Sequence, residues 1–120
     1  MKLAIVGSRD FNDYEVMCDF IQSRFDLSEI DTIVSGGAKG ADTLAERFAE
    51  DNHLVLDVKP AEWKKYGRAA GPKRNKLIIE AADAVVAFPT SSSKGTLNSM
   101  NIAKKMGKRL EVLYVQGDKK

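Results

Sequence analysis

The sequence predicts one α/β domain built on a five-stranded, mainly parallel sheet with helices on both faces. Short apolar runs rich in β-branched residues alternate along the chain with segments whose apolar residues recur at helical spacing. This alternation is typical of a parallel sheet whose strands are joined by helical crossovers. The 120 residues suffice for one core and not for two. We therefore expect a single domain over residues 1–116 and a polar tail over residues 117–120.

Each element follows from a local pattern. The predicted strands are residues 2–6, 31–35, 54–58, 83–88 and 109–115. The first helix follows the capping residues Asn12 and Asp13. The second carries the apolar stripe Ala41, Leu44, Ala45, Phe48 and Ala49. The third begins at Gly71-Pro72 and is predicted to turn Leu77, Ile78, Ala81 and Ala82 inward. The fourth follows a polar loop and is predicted to turn Leu97, Met100, Ala103 and Met106 inward. Residues 59–72 are predicted to be irregular.

The strand order that this alternation favours is 3-2-1-4-5, that of a Rossmann-like fold. In that order the chain reverses its winding direction between the first and fourth strands, and ligands bind there, outside the carboxyl ends of the strands. The sequence therefore predicts a site formed by residues 7–9 and 89–96, with residues 36–42 beside them. These are also the loops richest in glycine and hydroxyl side chains.

Composition excludes several functional classes. The apolar stretches are too short to span a bilayer, and the N-terminal one, residues 3–6, is too short for a signal-peptide core. The single cysteine, Cys18, agrees with a reducing compartment, so we expect a cytoplasmic protein without membrane contact. With one histidine and one cysteine, we expect no metal site of the His/Cys type and no cofactor, although a carboxylate site for Mg²⁺ remains open.

The segment Ser35-Gly36-Gly37-Ala38-Lys39-Gly40-Ala41-Asp42 runs from a predicted strand directly into a helix. Glycines in such a turn expose backbone N–H groups to an anion, which the helix dipole also favours. The segment matches neither a Walker A loop nor G-x-G-x-x-G, and the alternative is a tight turn that needs glycine only for its geometry. Asp42 either complements the helix dipole or accepts hydrogen bonds from ribose hydroxyls.

A second loop, SSSKGT at residues 91–96, also joins a strand to a helix. Its hydroxyls, the Lys94 ammonium and the Gly95 N–H suit phosphate oxygens, although a serine-rich loop is often only a flexible connection. Ser8 and Arg9 follow the first strand at the predicted switch point, where Arg9 either pairs with a phosphate or lies in solvent.

Cations cluster at the predicted start of the third helix, as Lys73, Arg74 and Lys76. Positive charge in a first helical turn opposes the dipole, which indicates a role in ligand binding. Replacing Arg74 by alanine is then expected to weaken phosphate binding with little change in stability. The nearby Trp63 and Tyr66 could stack on a base, belong to the core or form a subunit contact.

Four segments together resemble a known family: IVGSRDF, SGGAKGADTLAERFA, AEWKKYGRAAGPKRN, and VAFP followed by SKGT. They look like the YspA-like, YpsA-related branch of the SLOG superfamily. The resemblance implies a Rossmann-like domain that binds nucleotides. Its relatives include the LOG enzymes, which cleave nucleoside monophosphates, the single-stranded DNA-binding protein DprA, and sensors of NAD-derived or cyclic nucleotides in antiviral defence.

The resemblance and the loop positions together predict a set of ligand-binding residues. They are Gly7, Ser8, Arg9, Gly36, Gly37, Ala38, Lys39, Gly40, Asp42, Trp63, Tyr66, Arg74, Asn75, Pro89, Ser93, Lys94, Gly95 and Thr96. The sequence departs from the LOG motif P-G-G-x-G-T-x-x-E, because its glutamate is absent after Gly95-Thr96. Glycosidic cleavage needs such a carboxylate, so this departure favours binding over hydrolysis.

Three functions follow in order of preference. The first is a sensor or sequestering protein for a nucleotide, or for a linear or cyclic signalling nucleotide derived from NAD or ADP-ribose. The second is an N-glycosidase acting on nucleoside phosphates or ADP-ribose derivatives, with Asp42 as its candidate catalytic residue. The third is DprA-like binding of single-stranded nucleic acid, although the net charge of +2 and the few aromatic residues lead us not to expect a nucleic-acid partner. We expect a homodimer or tetramer with ligand sites near the interface.

Overall fold

The computed structural model describes residues 1–116, so the predicted tail at 117–120 lies outside the described residues. The strands are β1 (Lys2–Gly7), β2 (Thr32–Ser35), β3 (Val55–Val58), β4 (Ala84–Phe88) and β5 (Arg109–Val112). The helices are α1 (Tyr14–Arg24), α2 (Ala41–Asp51), α3 (Trp63–Tyr66), α4 (Ala70–Ala81) and α5 (Lys94–Lys105). Short 3₁₀ turns lie at Leu27–Glu29 and Gly67–Ala69.

The five strands form one parallel sheet in the order β3-β2-β1-β4-β5, which confirms the predicted fold class. β1 lies at the centre and pairs with β2 on one side and β4 on the other. Its last residue, Gly7, lies opposite Phe88 at the end of β4. The loops that follow these strands therefore emerge at the same end of the sheet.

Two apolar clusters hold the layers together. On one face, α1 and α2 cover an aromatic core in which the rings of Phe11 and Phe88 stack at 5.0 Å and Phe20 meets Phe88 edge-on at 5.8 Å. On the other face, α4 and α5 cover β1 and β4 through residues such as Ile79 and Met100. The predicted stripe of α2 is the buried face of that helix, apart from the half-buried Leu44.

Two local predictions are wrong. The segment 59–72, expected to be irregular, contains α3, a 3₁₀ turn and the first turn of α4, which begins at Ala70. Leu77, Leu97 and Met106 are exposed rather than inward. In α5 the buried face runs instead through Thr96, Ser99, Met100 and Ala103, because the helix turns its small polar side chains toward the loops at the sheet's end. Over residues 1–116, the helices are too short or too polar to cross a membrane.

Candidate functional site

A cavity of about 610 Å³ opens at the carboxyl ends of β1 and β4, between their loops and the first half of α4. Its volume is typical of a small-molecule site. Of the residues predicted from sequence, it is lined by Gly7, Ser8, Arg9, Ala38, Asp42, Trp63, Arg74, Asn75, Ser93, Lys94, Gly95 and Thr96. It is also lined by Ser92, which belongs to the predicted loop 89–96, and by residues outside the predicted loops and residue set: Val6, Asp10, Gly71, Pro72, Ile78, Asn98 and Ser99.

A second cavity of about 390 Å³ adjoins the first at the ends of β2 and β3. Gly36, Gly37 and Lys39 line it together with Pro60 and Ala61. The two cavities share Arg9, Ala38, Trp63 and Arg74. Among the described residues, the predicted Gly40, Tyr66 and Pro89 line neither cavity. The predicted set therefore lies at one end of the sheet but is divided between two adjoining spaces.

Gly40 is excluded from the cavities because it holds two loops together. Its φ is +71°, and a Cβ there would overlap the main chain of Ser8 and Arg9. The next residue, Ala41, donates its N–H to the Ser8 carbonyl at 3.1 Å. The glycine therefore lets the start of α2 contact the end of β1 directly, which places the two loops side by side.

Arg74 and Asn75 connect the remaining loops through α4. The Arg74 guanidinium donates to the Gly36 carbonyl at 2.9 Å and to Asn75 Oδ1 at 3.1 Å. Asn75 in turn donates from Nδ2 to Asn98 Oδ1 at 3.0 Å and to the Gly95 carbonyl at 3.3 Å. A continuous chain of hydrogen bonds thus links the loop after β2 to the start of α5.

The N-termini of α2 and α5, which both border the larger cavity, differ in charge. At α2, Asp42 Oδ2 accepts the Ala38 N–H at 3.0 Å, so a carboxylate already compensates the dipole there. Burial raises the pKa of Asp42, and the hydrogen bond from Ala38 and the charge of Arg74 only partly oppose that rise. At α5, by contrast, there is no side-chain cap and no acidic residue in the first turn. Of the two, only the α5 terminus keeps its full attraction for an anion.

The aromatic residues lie at the rim of the cavities. Trp63 is 53% exposed, lines both cavities, and packs against Gly71, where a Cβ would lie 3.4 Å from the indole ring, an ordinary van der Waals contact. Tyr66 lies further out, with the Lys65 and Lys73 ammonium groups 5.0 and 4.7 Å from its ring centre. Trp63 thus borders both cavities, whereas Tyr66 contacts two lysine side chains through cation–π interactions.

Asn98 and Ser99 are the main polar residues that the sequence analysis missed. Ser99 is buried and lies one helical turn after Thr96, on the same face of α5. That i, i+3 spacing from a predicted site residue was the signal available in the sequence. Within residues 1–116, no group of three or more His, Cys, Asp or Glu side chains is arranged to hold a metal ion.

Arg74→Ala is expected to affect both binding and stability. Arg74 lies in the second turn of α4, beyond the turn where its charge would oppose the dipole, and it makes two hydrogen bonds within the protein. We expect a loss of about 1–2 kcal/mol in the free energy of unfolding, because the Gly36 carbonyl and Asn75 lose their donor. Nucleotide affinity should fall as well, because Arg74 connects the two loops that line the cavity.

Denaturant unfolding and titration calorimetry measure the two effects. The matched control is Lys73→Ala, which removes the neighbouring exposed cation from the Tyr66 ring and should change stability little. Equal stability of Arg74→Ala and Lys73→Ala would contradict the role of Arg74 in joining the loops.

Comparison with known proteins places the chain in a family. The model of "YAcAr: YspA, cpYpsA-related SLOG family" matches residues 1–66. The chain belongs to this family. The gene 61 protein of Mycobacterium phage D29 is 34% identical over 113 residues, which cover 88% of this chain and 90% of that protein. The resemblance noted from the sequence motifs is confirmed.

Two solved structures share the SLOG fold of this chain. DNA processing protein A (DprA) from Streptococcus pneumoniae matches with a TM-score of 0.74 at 23% identity, covering 92% of this chain and 49% of that chain. This chain therefore spans about half the length of that protein. DNA processing protein A from Helicobacter pylori matches with a TM-score of 0.65 at 23% identity, covering 98% and 68% of the two chains. That second structure was described for its single-stranded DNA binding mode.

The sequence-based expectation that nucleic acid is not a partner is wrong. It rested on the net charge, yet a protein with the same fold binds single-stranded DNA. A net charge of +2 averages over the whole surface, whereas phosphate binding depends on local groups of cations. Two such local groups are present: Arg9 and Arg74 line both cavities, and the Lys65 and Lys73 ammonium groups lie over the ring of Tyr66.

Proposed function

We propose that the larger cavity binds one phosphorylated ribonucleotide, with its phosphate at the start of α5 and its sugar hydroxyls at Asp42. The observation that carries the proposal is the difference between the two helix N-termini: α2 is compensated by a buried carboxylate and α5 is not. A ligand that is anionic at one end and rich in hydroxyls at the other complements both.

The start of α5 supplies the chemistry for a phosphate. Lys94, Gly95 and Thr96 form its first turn and line the cavity, and Thr96 is buried there. A helix N-terminus with an ammonium and a hydroxyl beside it favours an anion through N–H groups, charge and hydrogen bonds together.

Asp42 supplies the opposite chemistry. Its carboxylate lines the cavity and is only 9% exposed, with Oδ2 engaged by the Ala38 N–H. A buried carboxylate accepts hydrogen bonds but repels phosphate, which makes a sugar diol its natural partner. The loop at residues 35–42 would then recognise the sugar, and the loop at residues 91–96 the phosphate.

Binding without cleavage is the form of the proposal that the residues favour, as expected for a sensor or sequestering protein. Ser99 stands three residues after Thr96, where the LOG motif carries its glutamate, and its hydroxyl donates to the Gly95 carbonyl at 3.4 Å. A serine held in this way does not stabilise an oxocarbenium-like transition state. If the protein were an N-glycosidase, Asp42 would have to supply the catalytic carboxylate.

A pair of isosteric variants tests the phosphate position. Gly95→Asp adds a carboxylate to the first turn of α5, while Gly95→Asn adds the same shape without the charge, and a Cβ at Gly95 meets open space. We expect the aspartate variant to bind adenosine 5′-monophosphate at least ten-fold more weakly than the asparagine variant in titration calorimetry, because the charge repels the phosphate. Adenosine itself should not distinguish the two variants. Equal affinities for the monophosphate would contradict the proposed orientation.

The nature of the bound molecule can be read from the purified protein. Denaturation followed by mass spectrometry should release an intact nucleotide if the protein only holds its ligand. Release of a free base together with a ribose phosphate would support the glycosidase instead.

A second candidate is binding of single-stranded nucleic acid. Three observations favour it: the shared fold of the DprA structure described for this activity, the continuity of the two cavities across Arg74, and the exposed ring of Trp63 at their junction. A strand could place successive phosphates along the cations while a base stacks on Trp63.

Trp63 is the one tryptophan of the chain, so its fluorescence reports on that stacking directly. Quenching by a ten-residue deoxythymidine oligonucleotide that weakens steeply with salt would support the second candidate. Quenching by ribonucleotides alone, with little salt dependence, would support the first.

A further inference from the structure

The two edges of the sheet are protected very differently. On β5, Arg109 and Glu111 form an ion pair at 3.0 Å, and Arg24 of α1 reaches the same carboxylate at 3.4 Å. On β3, the apolar side chains Val55 and Leu56 are 64% and 38% exposed. Charged side chains that cover an edge strand oppose pairing with another chain, whereas an exposed apolar edge permits it. Among the described residues, a cluster of three charged side chains, one of them from α1, covers the β5 edge, whereas β3 exposes apolar side chains beside a single ion pair, Asp57–Lys59.

The backbone of β3 also offers unpaired hydrogen-bonding groups. Val55 donates its N–H to Asp31 and Lys59 donates to Ser35, so the odd-numbered residues face β2. Because the direction alternates along a strand, the N–H and C=O groups of Leu56 and Val58 point away from the sheet. An extended strand is the partner that satisfies such groups. An antiparallel copy centred on Val58 would satisfy both groups of Val58 and the Leu56 N–H, which would donate to the Pro60 carbonyl, whereas Pro60 has no N–H for the Leu56 carbonyl.

The charges on this edge are self-complementary. Asp57 and Lys59 form an ion pair at 3.2 Å along the strand. If a second copy ran antiparallel about a two-fold axis through Val58, Asp57 of each copy would lie directly opposite Lys59 of the other. Opposite charges in directly facing positions stabilise an antiparallel pair.

We propose that two copies of this chain pair through β3, antiparallel and about a two-fold axis at Val58, to form one continuous ten-stranded sheet. Val58 of each copy then exchanges two hydrogen bonds with Val58 of the other. Because Pro60 and Ala61 follow β3 and line the smaller cavity, the second copy lies beside that cavity. Pairing therefore narrows the access to the site from one side.

Light scattering at micromolar concentration tests the pairing. We expect a mass near twice the 13.2 kDa of one chain. Asp57→Lys and Lys59→Asp, each alone, place like charges opposite one another and should lower the mass to that of one chain. The double variant Asp57→Lys/Lys59→Asp restores the facing pairs and should restore the mass. Lys104→Asp, on α5, is the matched charge reversal away from the edge and should leave it unchanged.

Amide hydrogen exchange tests the pairing of two copies in the unaltered protein, without relying on any variant. In the unaltered protein the N–H groups of Leu56 and Val58 should be protected at high concentration and should lose protection on dilution. A single-chain mass at all concentrations, or a double variant that stays monomeric while folded, would overturn the proposal.

Discussion

Gly40→Ala is expected to lower the free energy of unfolding by about 3–5 kcal/mol, the largest effect that we expect from one small substitution in this chain. Two costs add. Gly40 has a φ of +71°, which an alanine adopts only with strain, and the new Cβ would overlap the main chain of Ser8 and Arg9. Backbone atoms cannot move aside as a flexible side chain would, so the loops after β1 and β2 must separate.

Denaturant unfolding of this variant should be compared with that of Gly107→Ala. Gly107 also has a positive φ, +67°, but a Cβ there meets nothing within 4 Å. The control therefore measures the conformational strain alone, which is about 1–2 kcal/mol. If the two variants were equally destabilised, the contact between the start of α2 and the end of β1 would not be what Gly40 provides. We also expect Gly40→Ala, and not Gly107→Ala, to lose nucleotide binding.

Asp42→Asn is expected to reduce ribonucleotide affinity by about 1.5–3 kcal/mol while leaving the protein at least as stable at neutral pH. The loss of affinity arises because a neutral amide accepts hydrogen bonds from sugar hydroxyls more weakly than a carboxylate. The stability should not fall, because burial raises the pKa of Asp42 and the charged form is therefore disfavoured in the folded state. An asparagine oxygen can still accept the Ala38 N–H.

The titration of Asp42 makes the free energy of unfolding depend on pH in a definite direction. Between the pKa of Asp42 in the unfolded chain and its raised value in the folded protein, the folded state binds the extra proton, so stability falls as pH rises through this window. The asparagine variant lacks this fall. Its advantage in melting temperature over the unaltered protein should therefore be larger at pH 7 than at pH 4.

Asp10→Asn is the matched control, since Asp10 lines the same cavity but is exposed. It should change neither affinity nor stability appreciably. If Asp42→Asn were less stable than the unaltered protein at pH 7, the expected direction of the pH dependence would be contradicted. Equal binding of ribonucleotide and 2′-deoxyribonucleotide by the unaltered protein would contradict the assignment of the hydroxyls to Asp42.

Much of the fold could be predicted because its signals are local. The apolar stripe of α2 recurs along a helix of eleven residues, and the strands are short apolar runs ended by Gly, Pro or polar residues. Alternation of strands and helices with right-handed crossovers leaves few strand orders, and the observed one is among them. The position of the two cavities followed from that order, because the carboxyl ends of parallel strands meet at one end of the sheet.

The net charge of the chain was a poor basis for excluding nucleic acid, because the local arrangement of cations rather than their sum decides where phosphate can bind. The sequence gives no sign that Lys65 and Lys73 converge on Tyr66, since that depends on the turn between α3 and α4. Composition alone therefore did not justify excluding nucleic acid as a partner. The comparison with DprA shows that a protein of this fold can bind single-stranded DNA.

The sequence by itself determined the α/β class, the strand order and the three loops that surround the site, since periodicity and turn residues act over a few neighbours. Only the tertiary structure decided which side chains those loops engage. Arg74 reaches Gly36 across 38 residues of chain, and Asn75 reaches Asn98 across 23. The exposure of Leu77 and of the β3 edge was likewise decided by which elements pack against them. These contacts join residues distant in sequence, and local propensity carries no information about how distant surfaces come together.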